Sequence, residues 1–208
     1  MIEGRKIASD VAFTSSVKAI QSRKGSRTAY ARMENKGGWP TRITPELAAF
    51  IAGQTSVFLA TASAAGQPYI QHRGGPPGFL QVLDDHCIGF ADFRGNRQYI
   101  SAGNLAENPK AQLFLIDYST RHRIKLWGRA RVIEDDPALV ERLMPRNYKA
   151  TAEQAILFEV DTWDANCPQH IPQRVDVTDV VATLEARDRR IAELEAEITR
   201  LSHKAIQP

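Results

Sequence analysis

Only two of the 208 residues are cysteine, Cys87 and Cys167, and they stand eighty positions apart. That excludes the disulfide framework that staples small secreted folds. No apolar run approaches the ~20 residues a membrane-crossing helix needs. The opening residues, MIEGRKIASD, do not read as a secretory signal. The formal charge is only +3, so the basic excess or stripe of a nucleic-acid surface is missing. A soluble cytoplasmic protein is the expectation. What the chain does have is 43% hydrophobic content over this length, enough for one full core and an appendage.

Residues 9–34 interleave Val11, Phe13, Val17 and Ile20 with Lys18, Arg23, Lys24 and Arg27, which predicts one amphipathic helix with a solvated basic face and a frayed extension. Gly37-Gly38-Trp39-Pro40 breaks the chain. Thr44, Pro45 and Glu46 then suit the N-cap and first turn of a helix running to about Ile51. Strand patterns follow at 56–63, 68–72, 79–83, 87–93, 111–118, 123–133 and 155–162, with a short helix from Asp136-Pro137 to about Met144. Many strands, short loops and few helices point to a barrel or sandwich. In the tail, Val177, Val180, Leu184, Ile191, Leu194, Ile198 and Leu201 keep a three-four spacing, interrupted only by Arg187. Two readings stay open there: a helix packed on its own domain, or a coiled coil with a second copy.

The stretch FADFRGNRQ ends an apolar strand in two arginines around Gly95-Asn96. A hairpin turn needs the Gly-Asn pair but not the arginines. If YISAGNLAENP forms a short helix stopped by Asn108-Pro109, Arg94 and Arg97 stand at its entrance beside free backbone N–H groups, an arrangement that suits a phosphate. Two solvated arginines in a turn are the bland alternative. Gln71-His72-Arg73-Gly74 likewise suits contacts to a flat polar ligand, or is an ordinary exposed strand end.

Taken in order, FLATASAAGQPYIQHRGG, IGFADFRGNRQ, NLAENPKAQLFLID and RIKLWGRARVIEDD resemble the pyridoxamine 5′-phosphate oxidase-like flavoproteins, the FMN-binding split-barrel family, over about residues 50–162. The resemblance implies a mainly β split barrel with flanking helices. Residues 1–43 would be a helical extension, 44–174 the FMN-binding domain and 175–208 the tail helix. It further implies a homodimer holding FMN at the subunit interface. Arg97 takes the place of the family's phosphate arginine, Gln98 replaces a lysine, and Arg94 restores the lost charge. Asp92, Phe93, Gly95 and Asn96 complete that loop, Gln71, His72, Arg73 and Gly74 line the flavin ring, and Arg123 occupies a position that touches flavin. About three extra residues separate this loop from ENP.

The likeness thins toward the end. The spaced Tyr, Arg and Ser with which the vitamin enzyme binds its substrate phosphate are absent, which argues against pyridoxamine phosphate oxidation. In their place stands WDANCPQHIPQR, similar to a segment found in a subgroup without a defined substrate. Cys167 and His170 join the cofactor contacts if this loop folds over the flavin; otherwise it is a rigid connector. Metal binding is not expected, since zinc needs a second ligand pair. The expectation is an FMN-dependent oxidoreductase acting on a small molecule. A flavin-binding sensor or carrier without turnover is the alternative, as is a deazaflavin or haem protein with His72 or His170 as axial ligand.

Overall fold

The structure is a computed structural model and describes residues 7–166 and 168–206. Its strands are β1 (Ser56–Ala62), β2 (Pro68–Gly74), β3 (Gln81–Val82), β4 (Cys87–Phe93), β5 (Lys110–Asp117), β6 (His122–Ile133) and β7 (Ala152–Asn166). They form one antiparallel sheet in the order β2-β1-β5-β6-β7-β4-β3. β2 and β3 end the order, so the sheet is open, a mainly β split barrel with flanking helices. The expected last strand is longer at both ends than 155–162, and the strand expected over 79–83 shrinks to two residues. Phe79 and Leu80 are fully buried instead.

Alternation places Val57 and Leu59 of β1 on the core side. They meet Leu113 and Leu115 of β5, Leu126 of β6, and Leu47 and Ile51 of the helix Pro45–Ala52. Each such side chain contributes ~1.5–3 kcal/mol by leaving water. Thr44 caps that helix through a 3.3 Å bond from the Leu47 N–H, as the sequence indicates. β4 and residues 154–158 of β7 are buried on both faces. Phe90 and Phe158 enter the main core, while Ala91, Ala155 and Leu157 pack with Leu143 of the helix Pro137–Leu143.

Gly128 sits where β6 bulges against β7. A Cβ there would lie 1.9 Å from the Glu159 carbonyl oxygen, so only glycine lets the two backbones approach.

The N-terminal region corrects the sequence expectation. Instead of one helix, a 3-10 turn (Ala8–Val11) precedes two helices, Ser15–Lys24 and Arg27–Asn35. Thr14 caps the first, and Gly25, at φ 81°, ends it in the left-handed region. The basic face is not simply solvated. Lys18 pairs with Asp10 and Glu34, and Arg27 with Glu34 and Gln21. Tyr30, Phe13, Trp39 and Trp127 form a chain of ring contacts ending in a Trp39–Trp127 stack at 4.9 Å, which docks this segment on β6.

The chain divides into two compact units, one running to Asp117 and again from His122 to Pro168, the other comprising Tyr118–Arg121 and Gln169–Pro208. In the second, the Arg174 guanidinium lies 4.4 Å from the Tyr118 ring centre, and the Arg174 backbone N–H donates to the Tyr118 carbonyl. The tail helix spans Val177–Ile206, and its first turn is capped by Asp176, which accepts from the Thr178 N–H at 2.8 Å. The bond from the Thr178 hydroxyl first, then this backbone bond, hold the Asp176 carboxyl below its usual range.

Candidate functional site

The end of β2, the bulged end of β4 and the start of β7 enclose a narrow cleft beside the helix Ile100–Glu107. Strand alternation turns Gln71 and Arg73 toward the side of β2 that carries Val57 and Leu59 across the ladder. Arg73 pairs with Asp92, whose second oxygen accepts from the Gln154 amide at 2.8 Å. The pair is largely dry, with side chains 16% and 10% exposed. Ser101 donates to Gln71 at 2.9 Å. The Arg73 Nε–H is buried and has no hydrogen-bond partner among the described residues. Buried guanidinium N–H groups are normally satisfied, so this one is an unused donor in the cleft wall.

The loop beyond β4 makes the rim. Arg97 and Tyr99 hold positive φ (58° and 53°), uncommon outside glycine and typical of constrained turns. Asn96 and Gln98 bond to one another through side chain and backbone. Arg94 donates to Glu153 at 2.9 Å, while Arg97 donates to the Tyr99 hydroxyl at 3.0 Å and lies 3.9 Å from Glu153. The Tyr99 bond first, then the charges of Tyr99 and Glu153, hold the Arg97 guanidinium more firmly charged. Both arginines keep more than half of their side-chain surface open. With Glu153 between them, the rim carries one positive charge in excess. A Cβ at Gly95 would meet nothing within 4 Å, so that glycine answers no close approach within the chain.

Of the residues singled out from the sequence, Gln71, Arg73, Asp92, Phe93, Gly95, Asn96 and Arg97 line this one cleft. Arg94 and Gln98 join it through Glu153 and Asn96. The others stand elsewhere. His72 points to the opposite face of β2, where its Nε2 lies 2.7 Å from Ser56 Oγ and its ring packs edge-on to Phe58. Gly74 packs against that ring, since a Cβ there would come within 2.9 Å of it. Arg123 lies on β6, on the same outward face as His72 and Phe114, with a buried Nε–H that also lacks a partner among the described residues. His170 belongs to the second unit, in an exposed turn at φ 63°. Cys167 falls outside the described residues.

Sequence reading missed Tyr99, Ser101, Glu153 and Gln154. Gln154 had a signal: it is the polar member of the stripe Gln154, Ile156, Phe158 on one face of β7. Tyr99 and Ser101 had none. Among the described residues no cluster of three metal-ligating side chains occurs, and no helix is long and apolar enough to cross a membrane.

A larger cleft, about 1250 Å³, lies between the N-terminal segment and strands β1, β5 and β6. None of the residues singled out as site candidates lines it; of its three carboxylates, Asp10 and Glu34 are paired with Lys18 and Arg27, and Asp161 shares the lining with Lys110 and Arg129. Asp10 is held below the usual carboxylate range by the Lys18 hydrogen bond first, then by the Ile7 N–H, and Lys18 is raised in turn. The smaller cleft is the one that gathers the residues singled out from the sequence.

Residues 43–170 match the protein-family model described as Pyridoxamine 5′-phosphate oxidase. No curated protein matches the chain. Among solved structures, HupZ of Group A Streptococcus is 18% identical over 64% of this chain and 99% of its own, with a TM-score of 0.49. An FMN-binding protein of Syntrophomonas wolfei is 12% identical over 70% and 97%, TM-score 0.45. HutZ, a heme storage protein of Vibrio cholerae, is 16% identical over 60% and 94%, TM-score 0.40.

Proposed function

The chain belongs to the pyridoxamine 5′-phosphate oxidase family, and from that membership we propose that it is an FMN-binding flavoprotein, a flavin-dependent oxidoreductase acting on a small molecule. The observation that carries this reading is Arg73, clamped by Asp92 in the cleft with one buried N–H still to be satisfied. A planar ligand with acceptors along one edge supplies that partner. At the rim, Arg94, Arg97 and the N-terminus of the helix Ile100–Glu107, which has no side-chain cap, suit the phosphate of the same ligand. Bound FMN would supply the hydride or electron chemistry. The fixed Arg73 charge would favour an anionic reduced ring.

Arg123 and His72 lie on the face opposite the cleft. A homodimer with FMN between the subunits accounts for them, because one chain's cleft then meets its partner's outward face. In this reading residues 44–174 form the FMN-binding domain, 1–43 and 175–208 are appendages, and the protein works in the cytoplasm. The missing Tyr, Arg and Ser spacing argues against pyridoxamine phosphate as the substrate.

The test is the absorption spectrum of freshly purified protein and the mass of what heat releases. Flavin bands with released FMN are expected, together with a sharp fall in occupancy for Arg97→Ala. A colourless protein that also fails to take up added FMN would overturn the reading. Turnover with a reduced nicotinamide distinguishes an oxidoreductase from a carrier.

A further inference from the structure

The tail helix carries a surface that the flavin reading does not use. Counting heptads from Val177 as position a, the a positions are Val177, Leu184, Ile191 and Ile198, and the d positions are Val180, Arg187, Leu194 and Leu201. The seven aliphatic seam residues are each at least 42% exposed. The rest of the helix is charged, polar or alanine apart from Val181 and Ile206. A stripe of two positions in seven is the seam of a two-stranded coil, narrower than the face of a helix lying on a core.

We propose that the helix Val177–Ile206 pairs with the same helix of a second copy as a parallel, in-register coiled coil. Ile191 and Ile198 at a, with Leu194 and Leu201 at d, is the combination that favours two parallel strands. The flanking charges choose the direction. In parallel register Arg190 at g faces Glu195 of the partner subunit, and Arg187 at d lies beside the partner subunit's Asp188 at e. An antiparallel pair with a matched to d would instead set Arg190 against the partner's Arg190 and Asp188 against the partner's Asp188. Arg190 now bonds to Glu193 at 2.9 Å, both 65% exposed, and such an exposed pair gives way at little cost. Arg187 also fixes the register. A slip of one heptad would bury each Arg187 against an aliphatic layer, a device known from polar seam positions. This pairing does not depend on flavin binding.

The test is disulfide formation in the full-length chain. Leu194→Cys puts the two thiols of a parallel d layer within bonding distance, whereas Ala196→Cys lies on the outer f position. Under mild oxidation Leu194→Cys should give covalent dimer about tenfold faster than Ala196→Cys, and the wild-type chain gives the background from Cys87 and Cys167. Adding Ile191→Lys, which charges the neighbouring layer, should return Leu194→Cys to that background. Equal rates for Leu194→Cys and Ala196→Cys overturn the pairing. Fast cross-linking in a mixture of Leu184→Cys and Leu194→Cys chains, with neither reacting alone, shows an antiparallel coil and overturns the parallel register.

Discussion

Replacing Asp92 by Asn keeps the shape of the side chain and removes its charge, and it should cost far more than its size suggests. Asp92 accepts from Arg73 with one oxygen and from Gln154 with the other. Arg73 already carries one unsatisfied buried N–H. Neutralising Asp92 therefore leaves a guanidinium in a mostly dry cleft with no counter-charge beside it. Breaking a buried pair from one side costs about 3–5 kcal/mol. The 16% exposure of Arg73 admits some water and moves the expectation to the lower end, about 3 kcal/mol. In a chain of this length about 1 kcal/mol shifts the melting temperature by about 2–4 °C, so Asp92→Asn should melt about 6–12 °C below wild type. Arg73→Met/Asp92→Leu should recover most of the loss, because a packed apolar pair replaces an ion pair at nearly neutral cost. Urea denaturation of the wild type, Asp92→Leu, Arg73→Met and the double variant gives the coupling energy directly. A loss under about 1 kcal/mol for Asp92→Asn, or additive single changes, would refute the buried-pair argument.

Gly128→Ala forces a methyl into the Glu159 carbonyl and should cost more than about 3 kcal/mol, the range of backbone clashes in a packed sheet; a wild-type melting curve would count against the bulge geometry. Glu153→Gln frees Arg94 and Arg97 from a competing carboxylate and should tighten FMN about two- to fivefold, as expected for an exposed pair; weaker binding in a fluorescence titration would show that Glu153 supports the loop instead. The depressed Asp10 carboxyl contributes stability that is complete above its unfolded value of about 4 and is lost as pH falls through the lower native value. Tryptophan emission from the Trp39–Trp127 stack should therefore change below about pH 4, and Asp10→Asn should remove that acid transition; an unaltered transition in the variant would disprove the link.

Much of this architecture is written in local pattern. The alternation in SVFLATA and RIKLWGRARVI, the Thr44-Pro45 and Asp136-Pro137 helix starts, and the stop at Asn108 each depend on residues a few positions apart. The site was legible wherever a strand runs directly into its loop, as from Asp92 through Arg97. It was illegible where the contact crosses the sheet. Gln154 and Glu153 are about sixty residues from Asp92 and Arg94, and only the β4–β7 register sets them side by side. The single N-terminal helix failed for a local reason that was visible, Gly25, and for one that was not: the buried Glu34 draws Lys18 and Arg27 inward.

The sequence alone determined the element types, the exclusion of a disulfide scaffold and the cluster of arginines at a strand end, because periodicity, capping and turn chemistry act within a few residues. Tertiary structure decided which side of β2 carries the ligand chemistry. One residue of strand register separates Arg73, in the cleft with Asp92, from His72, on the outward face with Phe58. Side chains one position apart on a strand point to opposite faces, so only the pairing of β2 with β1, and of β4 with β7, could assign the arginine to the cleft and the histidine away from it.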